Sequence, residues 1–254
     1  MSLSQISATA KIADDVEIGP FTVIGDNVEI GAGTVIKSHV VICANTKIGE
    51  NNHIYSGAVL GEAPQLYALE LEQACLVIGD NNIIRENVTI HCGSSKQDGV
   101  TKIGSNNFFM CNSHIGHDCI VEDNVLLVNN AALGGHVVVH SHAIIGAHCG
   151  VHQFCKIGSY AMLSHGAMVN KDVLPYLMVM YNQAKVVGLN KVGLRRNGFS
   201  DKDLAVLKKA YKMVFRNNQN TAQAIEQLEP LLNESSHVQA FIDGLQSSTR
   251  GIAR

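Results

Sequence analysis

The side chains in this sequence best suited to chemistry are histidines, and they come in company. "NSHIGHDC" (112–119) sets His114, His117 and Asp118 around one isoleucine, "LGGHV" (133–137) carries His136, and "VHQFC" (151–155) carries His152 and Gln153. Imidazole changes charge near neutral pH, so these residues suit either metal ligation or proton transfer. The seven cysteines do not compete for that role. They stand at 43, 75, 92, 111, 119, 149 and 155, without a Cys-x-x-Cys pair, and read as reduced, small, buried fillers.

Whether histidines from three separate segments can act together depends on the elements that carry them. Every sixth residue from Ile6 to Leu60 is aliphatic, the register returns at Ile78, Ile84 and Ile90, and it runs again from Ile103 through Phe109, Ile115, Leu133 and Val151 to Val169. Eleven of these 25 positions are followed directly by glycine. Neither a helix nor a strand period produces this pattern, whereas hexapeptide repeats signify a parallel β-helix. Each hexapeptide is a short strand plus a corner. The aliphatic residue points into the prism, and the glycine tolerates the backbone angles or the close approach that a corner requires. Three hexapeptides close one coil, so residues three repeats apart stack on one face with a rise of about 4.8 Å. Ile115, Leu133 and Val151 then share a face on successive coils. His114, His117, His136, His152 and Gln153 gather around them within two coil rises, roughly 10 Å. They fall outside the inward-pointing register, which argues against core histidines.

Two stretches break the repeat, "GEAPQLYALELEQACLV" (61–77) and "HCGSSKQDGVTK" (91–102), and both read as loops thrown out of the prism. After about residue 184 the period becomes helical. Ser200 and Asp203 form a capping-box-like start, and Leu204, Leu207, Ala210, Tyr211, Val214 and Phe215 recur at helical spacing. Further helices are expected over roughly 221–232 and 237–247. The expected organisation is a hexapeptide-repeat β-helix over 1–184 and a C-terminal helical domain over 185–254.

Charge separates the same two parts. Of 19 Lys+Arg and 22 Asp+Glu, residues 1–184 hold 8 and 16, a net of −8; residues 185–254 hold the remaining 11 and 6, a net of +5. The basic segment suits an acidic protein or a phosphate-bearing ligand, and the acidic prism opposes nucleic-acid binding. No apolar run reaches the length of a membrane span and no secretory apolar region is visible, so a cytoplasmic protein without membrane insertion is expected. Two chemistries compete for the histidine cluster. One is a zinc site of the kind found in β-helical carbonic anhydrases, with histidines from adjacent faces sharing the metal. The other is acyl transfer, with one neutral histidine as general base on a hydroxyl or amine and partner groups holding the acceptor and stabilising the oxyanion. The basic C-terminal helices favour acyl transfer, since they offer a dock for an acidic acyl carrier.

"HIGHDC", "GGHV", "VHQFCKIG", "GLRRNGFS" and the terminal "STRGIAR" resemble the acyl-[acyl carrier protein]:UDP-N-acetylglucosamine O-acyltransferases that begin lipid A synthesis, and the likeness covers essentially the full chain. It implies a homotrimer of left-handed β-helices, with active sites in clefts between neighbouring prisms and a 3-hydroxyacyl chain moving from acyl carrier protein to the sugar 3-position. It casts His117 as general base and Asp118 as its orienting partner. It places Gln65, His114, His136, His152 and Gln153 along the sugar-nucleotide and acyl site, and Asn190 and Arg196 near the nucleotide and the phosphopantetheine; Arg195 and Lys202 belong to the basic segment expected to dock the carrier. No metal and no cofactor beyond the acyl carrier is implied. The chain departs from the family where an Asp-x-Lys pair usually follows Gln65 (here Leu66, Tyr67 and Ala68), at Val192 and at Asn197. These changes leave open a modified acceptor such as a 3-amino UDP-sugar, or another nucleotide sugar. His165 stands where long-chain members have glycine, at the end of the acyl pocket. An imidazole there excludes methylenes worth about 0.8 kcal/mol each, which predicts a preference for chains of about ten rather than fourteen carbons.

Overall fold

Two-residue strands recur at the six-residue spacing of the aliphatic register. The computed structural model describes residues 3–66, 74–95, 98–216 and 220–254. Among these, the strands form three sheets of nine, eight and ten strands, and each strand of the prism pairs in parallel with those one coil before and after it. The aliphatic residues pair with their own kind: Ile24 with Ile42, Ile30 with Ile48, Ile36 with Ile54. The result is a left-handed parallel β-helix. Its central column is apolar, with Ile42, Ile54, Leu60, Ile90, Ile115 and Leu133 fully buried; each contributes about 1.5–3 kcal/mol of transfer free energy. Among the described residues no coil lies beneath the first one, and Ile6 stays 42% exposed.

The corners resolve which property of glycine matters. The residue with left-handed backbone is the one three positions after the aliphatic residue: Asn27, Asn45, Asn112, Asp118, Asn130, His136 and Phe154 have φ of 56–66°. Asn and Asp tolerate that region through local hydrogen bonding. The glycine directly after the aliphatic residue serves close approach instead. A Cβ on Gly116 would lie 2.9 Å from backbone atoms of Gly134 and Gly135 in the next coil.

The loops change the stacking interval. Leu60 pairs with Ile90 and Ile90 with Ile115, separations of 30 and 25 residues where uninterrupted coils show 18, so the two loops add 12 and 7 residues. Beyond Val169 the hexapeptide lapses, but the third sheet continues through Leu177–Met180 and turns back antiparallel along Lys185–Leu189. The boundary expected at 184/185 therefore falls inside a hairpin, and helical structure begins at α1 (Lys191–Arg196). α2 (Asp201–Arg216) starts at a reciprocal cap, in which Asp203 N–H donates to Ser200 Oγ and Ser200 N–H to Asp203 Oδ2. α3 (Thr221–Leu228) gives way at Pro230 to a 3-10 turn over Glu229–Asn233. α4 (Val238–Ser247) buries Phe241 and Leu245. Tyr176, Phe199, Phe241 and His237 interlock between prism and helices. No helix among the described residues is long and apolar enough to cross a membrane.

Candidate active site

His117 and Asp118 sit at the corner that follows the strand His114–Ile115. The left-handed φ of Asp118, 58°, turns its side chain back beside its own neighbour, and His117 Nδ1 lies 2.7 Å from Asp118 Oδ2. A carboxylate only accepts, so Nδ1 carries a proton, and in the neutral ring Nε2 is the nitrogen with the lone pair. Asp118 is 7% exposed. Burial opposes its ionisation, but hydrogen bonds from the Ser94 side chain and backbone and from His117 outweigh this and hold the carboxyl below its ordinary range. The ring of His117 lies against Gly135 of the next coil, where a Cβ would be 2.6 Å from Cε1 and Nε2. One coil's glycine thus makes room for another coil's base.

Ile115, Leu133 and Val151 do stack on one sheet, as the register requires. A cleft of about 340 Å³ opens over them, lined by Gln65, His91, His114, His117, His152 and Gln153 among others. His114 Nδ1 is 2.8 Å from Thr89 Oγ1. Burial, then the neighbouring His91 and His117, push its pKa down to about 4, so it is neutral at physiological pH. His136 stands behind the cleft. Its ring stacks on Phe154 at 4.4 Å and meets His117 edge-on at 5.0 Å, with Nε2 3.7 Å from Asp118 Oδ2. A second, more apolar groove of about 500 Å³ shares His114, Gly134, Val151 and His152 with the cleft and runs on over Ala132, Gly150 and Met168.

Of the residues expected at the site, Gln65, His114, His117, His152 and Gln153 line one cleft and Asp118 supports it. His136 stands behind this cleft, and three more of the expected residues do not line it in the single chain. Asn190 is 3% exposed and caps α1: it accepts from Gly193 N–H and donates one amide N–H to Tyr160 O. Arg196 lies exposed near the end of α1, outside the cleft. His165 is exposed, edge-on to His148 at 5.4 Å, and lines neither depression; the backbone turns it outward because the inward position belongs to Leu163. Arg195 and Lys202 are exposed on the helical domain, with Arg195 paired to Asp201 at 3.1 Å. Tyr67 and Ala68, part of the departure after Gln65, lie outside the described residues. His91, Ser94 and Gly135 were not anticipated. His91 was findable: Ile90 shares the face of Ile115, but a fixed interval of 18 overlooks the loop that makes the real interval 25.

His117, Asp118 and His136 also meet the geometric minimum for a metal site, with ligand atoms within 4.8 Å of one another. Donor spacing argues against His117 Nδ1 and Asp118 Oδ2 sharing one ion. Bonds of about 2.0 Å in a tetrahedral zinc site set ligand atoms roughly 3.3 Å apart, whereas His117 Nδ1 and Asp118 Oδ2 are at hydrogen-bond distance, 2.7 Å. Both carboxylate oxygens are moreover already taken by Ser94.

Residues 172–253 match the family model described as UDP N-acetylglucosamine O-acyltransferase, domain 2, and residues 9–44 and 101–135 match the bacterial transferase hexapeptide model of six repeats. The sequence is 45% identical over 249 residues to the acyl-[acyl-carrier-protein]–UDP-N-acetylglucosamine O-acyltransferase of Thiobacillus denitrificans, covering 98% of this chain and 96% of the relative. It is 39% identical over 250 residues to the protein of the same name from Syntrophobacter fumaroxidans, covering 98% and 97%. Among solved structures, LpxA from Acinetobacter baumannii superposes with a TM-score of 0.98 at 43% identity, covering 100% of this chain and 99% of that one. The UDP-N-acetylglucosamine O-acyltransferase of Moraxella catarrhalis gives the same values.

Proposed function

The chain belongs to the UDP-N-acetylglucosamine O-acyltransferase family, and on that premise we propose that it moves an acyl chain, 3-hydroxylated in the family reading, from acyl carrier protein to the 3-position of a UDP-N-acetylglucosamine-type sugar, the first step of lipid A synthesis. One observation carries the mechanism: the bond from His117 Nδ1 to Asp118 leaves Nε2 unprotonated at the cleft. Nε2 removes the acceptor proton as the sugar oxygen attacks the thioester carbonyl. The tetrahedral intermediate then collapses, the carrier sulfur leaves, and the imidazolium returns the proton to it. Gly135 packs against the ring, and its N–H, which makes no ladder bond among the described residues, is assigned as donor to the oxyanion. No step needs a metal or a cofactor other than the acyl carrier.

The same reading assigns the exposed Arg195 and Lys202 to the dock for the acidic carrier. It also assigns a homotrimer. Outward positions on the second sheet are largely charged, with Lys11, Glu29, Lys47, Lys102 and Lys156. Those on the third sheet include Glu17 and His53 in the early coils, but from Phe108 through Leu126 and Ile144 to Met162 they are large and apolar, and a strip of that kind is a surface for neighbouring copies. The reaction belongs to the cytoplasm, where acyl carrier and nucleotide sugar are both available.

The test is a steady-state assay with acyl carrier thioesters and a panel of UDP-N-acetylglucosamine, its 3-amino analogue and other UDP-sugars. His117→Ala should lose activity by about 10²–10⁴-fold without losing stability. Near wild-type turnover by the purified variant would show that another group is the base.

A further inference from the structure

The second loop leaves the prism after His91 and rejoins it at Val100. Both of its ends grip one residue. Ser94 donates its N–H to Asp118 Oδ1 at 2.9 Å and its Oγ–H to Oδ2 at 2.6 Å. At the other end Thr101 Oγ1 accepts the Asp118 N–H at 2.8 Å. The base of the loop is pinched shut. Gly93 packs so closely that a Cβ would lie 2.1 Å from backbone atoms of Gly99 and Val100, and its N–H donates to Cys75 O at 3.1 Å. Ser94 is thereby delivered to the carboxylate by rigid backbone and is 2% exposed. The corner does not need it for its own geometry, since other corners form with asparagine and no loop.

We propose that Ser94 is a positioning residue for the transfer: its hydroxyl fixes the Asp118 carboxylate and shares Oδ2 with His117, so that the imidazole is held with Nε2 facing the cleft. The inference rests on the reading of His117 as base. Oδ2 accepts from two donors, Ser94 Oγ at 2.6 Å and His117 Nδ1 at 2.7 Å. Removing the hydroxyl leaves the Ser94 N–H on Oδ1 and His117 itself on Oδ2; the terminal torsion of an aspartate is soft, and a single anchor from the scaffold lets carboxylate and imidazole turn together. His117 then also faces an oxygen whose charge is less satisfied, which favours the imidazolium. The other titratable groups facing the pair are His91 and His114 from the same sheet, His136 from the next corner, and the thiols of Cys92 and Cys119. None of them changes in a Ser94 variant.

The experiment compares wild type, Ser94→Ala and Ser94→Thr by steady-state kinetics across pH, thermal melting and NMR titration of the His117 ring. Ser94→Ala should lower kcat by about 10- to 100-fold, the weight of one hydrogen bond to a charged group, with KM for both substrates little changed. The acid limb of its kcat/KM profile and the NMR midpoint of His117 should both move up, on the order of half a pH unit. Ser94→Thr, which keeps the hydroxyl, should restore both. Equal impairment of the two variants, or a wild-type kcat with unmoved midpoints in Ser94→Ala, overturns the proposal; a drop in melting temperature alone marks a structural serine and overturns it too. If the wild type transfers no acyl chain to any UDP-sugar, the functional reading fails on its own. The NMR midpoint still decides then whether Ser94 tunes His117.

Discussion

Replacing Gly135 with alanine should disable the reaction while leaving the prism intact. The added Cβ would stand 2.6 Å from His117 Cε1 and Nε2, and ordinary contact begins at 3.4 Å, so the ring must retreat by the 0.8 Å difference. It cannot do so freely, because its other edge is tied to Asp118 at 2.7 Å. Either that bond stretches or the ring leaves its rotamer, at a cost of roughly 0.5–1.5 kcal/mol. The backbone itself accepts alanine, since Gly135 is not among the glycines with left-handed φ. Gly→Ala at a compatible site stabilises by about 0.4–1 kcal/mol through the unfolded chain. The two terms nearly cancel, and the melting temperature should move little. Catalysis has no such compensation: a base displaced by about 1 Å loses on the order of 10²-fold in rate. The assay is kcat with saturating acyl carrier and UDP-sugar, read beside thermal melting. A variant with undiminished kcat would show that the ring is not where the base works. A loss that tracks a large fall in melting temperature would put the effect in folding.

Three other expectations follow from the same geometry. His114, with its pKa pushed down to about 4 from the ordinary 6.5, stays neutral when folded while the unfolded chain takes up a proton between those values; stability is therefore full above about 6.5 and falls as pH drops through the window. Urea midpoints at several pH values should fall less steeply for His114→Gln, and an NMR midpoint for His114 near 6.5 would remove the basis for this. Reversing the charges at Arg195 and Lys202 should raise KM for acyl carrier more than for sugar nucleotide, and carrier affinity should weaken with salt because the Debye length is about 8–10 Å near physiological ionic strength; indifference to both would dismiss the dock. The Met168 sulfur lies 2.8 Å from the Cβ position of Gly150 in the apolar groove, whereas His165 is outside it, so Met168→Gly should lengthen the preferred acyl chain and His165→Gly should not, two added methylenes being worth roughly tenfold. An unmoved preference in Met168→Gly counts against the groove as the acyl channel.

The architecture could be read from the sequence because each inward position repeats one physical demand, an aliphatic side chain every sixth residue, and Ile42, Ile54 and Ile115 meet it with complete burial. The cluster of His114, His117, His152 and Gln153 could be read because these residues lie beyond the second loop, where the interval of 18 holds. Two things escaped the pattern. His91 was hidden by the changed interval across the loop, and Ser94 sits inside that loop, where no repeat constrains direction. Asn190 and Arg196 depend on how the helical domain sits on the prism, which aromatic packing around Tyr176 and Phe199 decides and hexapeptide period does not. Periodicity also could not separate the two uses of glycine. Only the neighbouring coil's backbone, 2.9 Å from an added Cβ on Gly116, shows that close approach is the reason for the glycine after isoleucine, while left-handed glycines such as Gly33 and Gly57 occupy the corner slot three residues after it.

The corner slot itself gives the strongest argument that the site is not a by-product of the fold. A prism corner asks for a residue that accepts left-handed backbone, and asparagine does so at Asn27, Asn45, Asn51, Asn81, Asn87, Asn106, Asn112, Asn124 and Asn130. Among the described residues with that backbone, Asp118 is the one carboxylate. Asparagine would satisfy the backbone equally well and would avoid burying a charge, which costs free energy unless it is paired. The charge at Asp118 is paired three times over, by Ser94 N–H, Ser94 Oγ–H and His117 Nδ1–H. A scaffold that repeats the neutral residue elsewhere, and surrounds the charged one with donors where it occurs, has that charge for a reason the fold does not supply. Holding a proton on one nitrogen of His117 and keeping it off the other is such a reason.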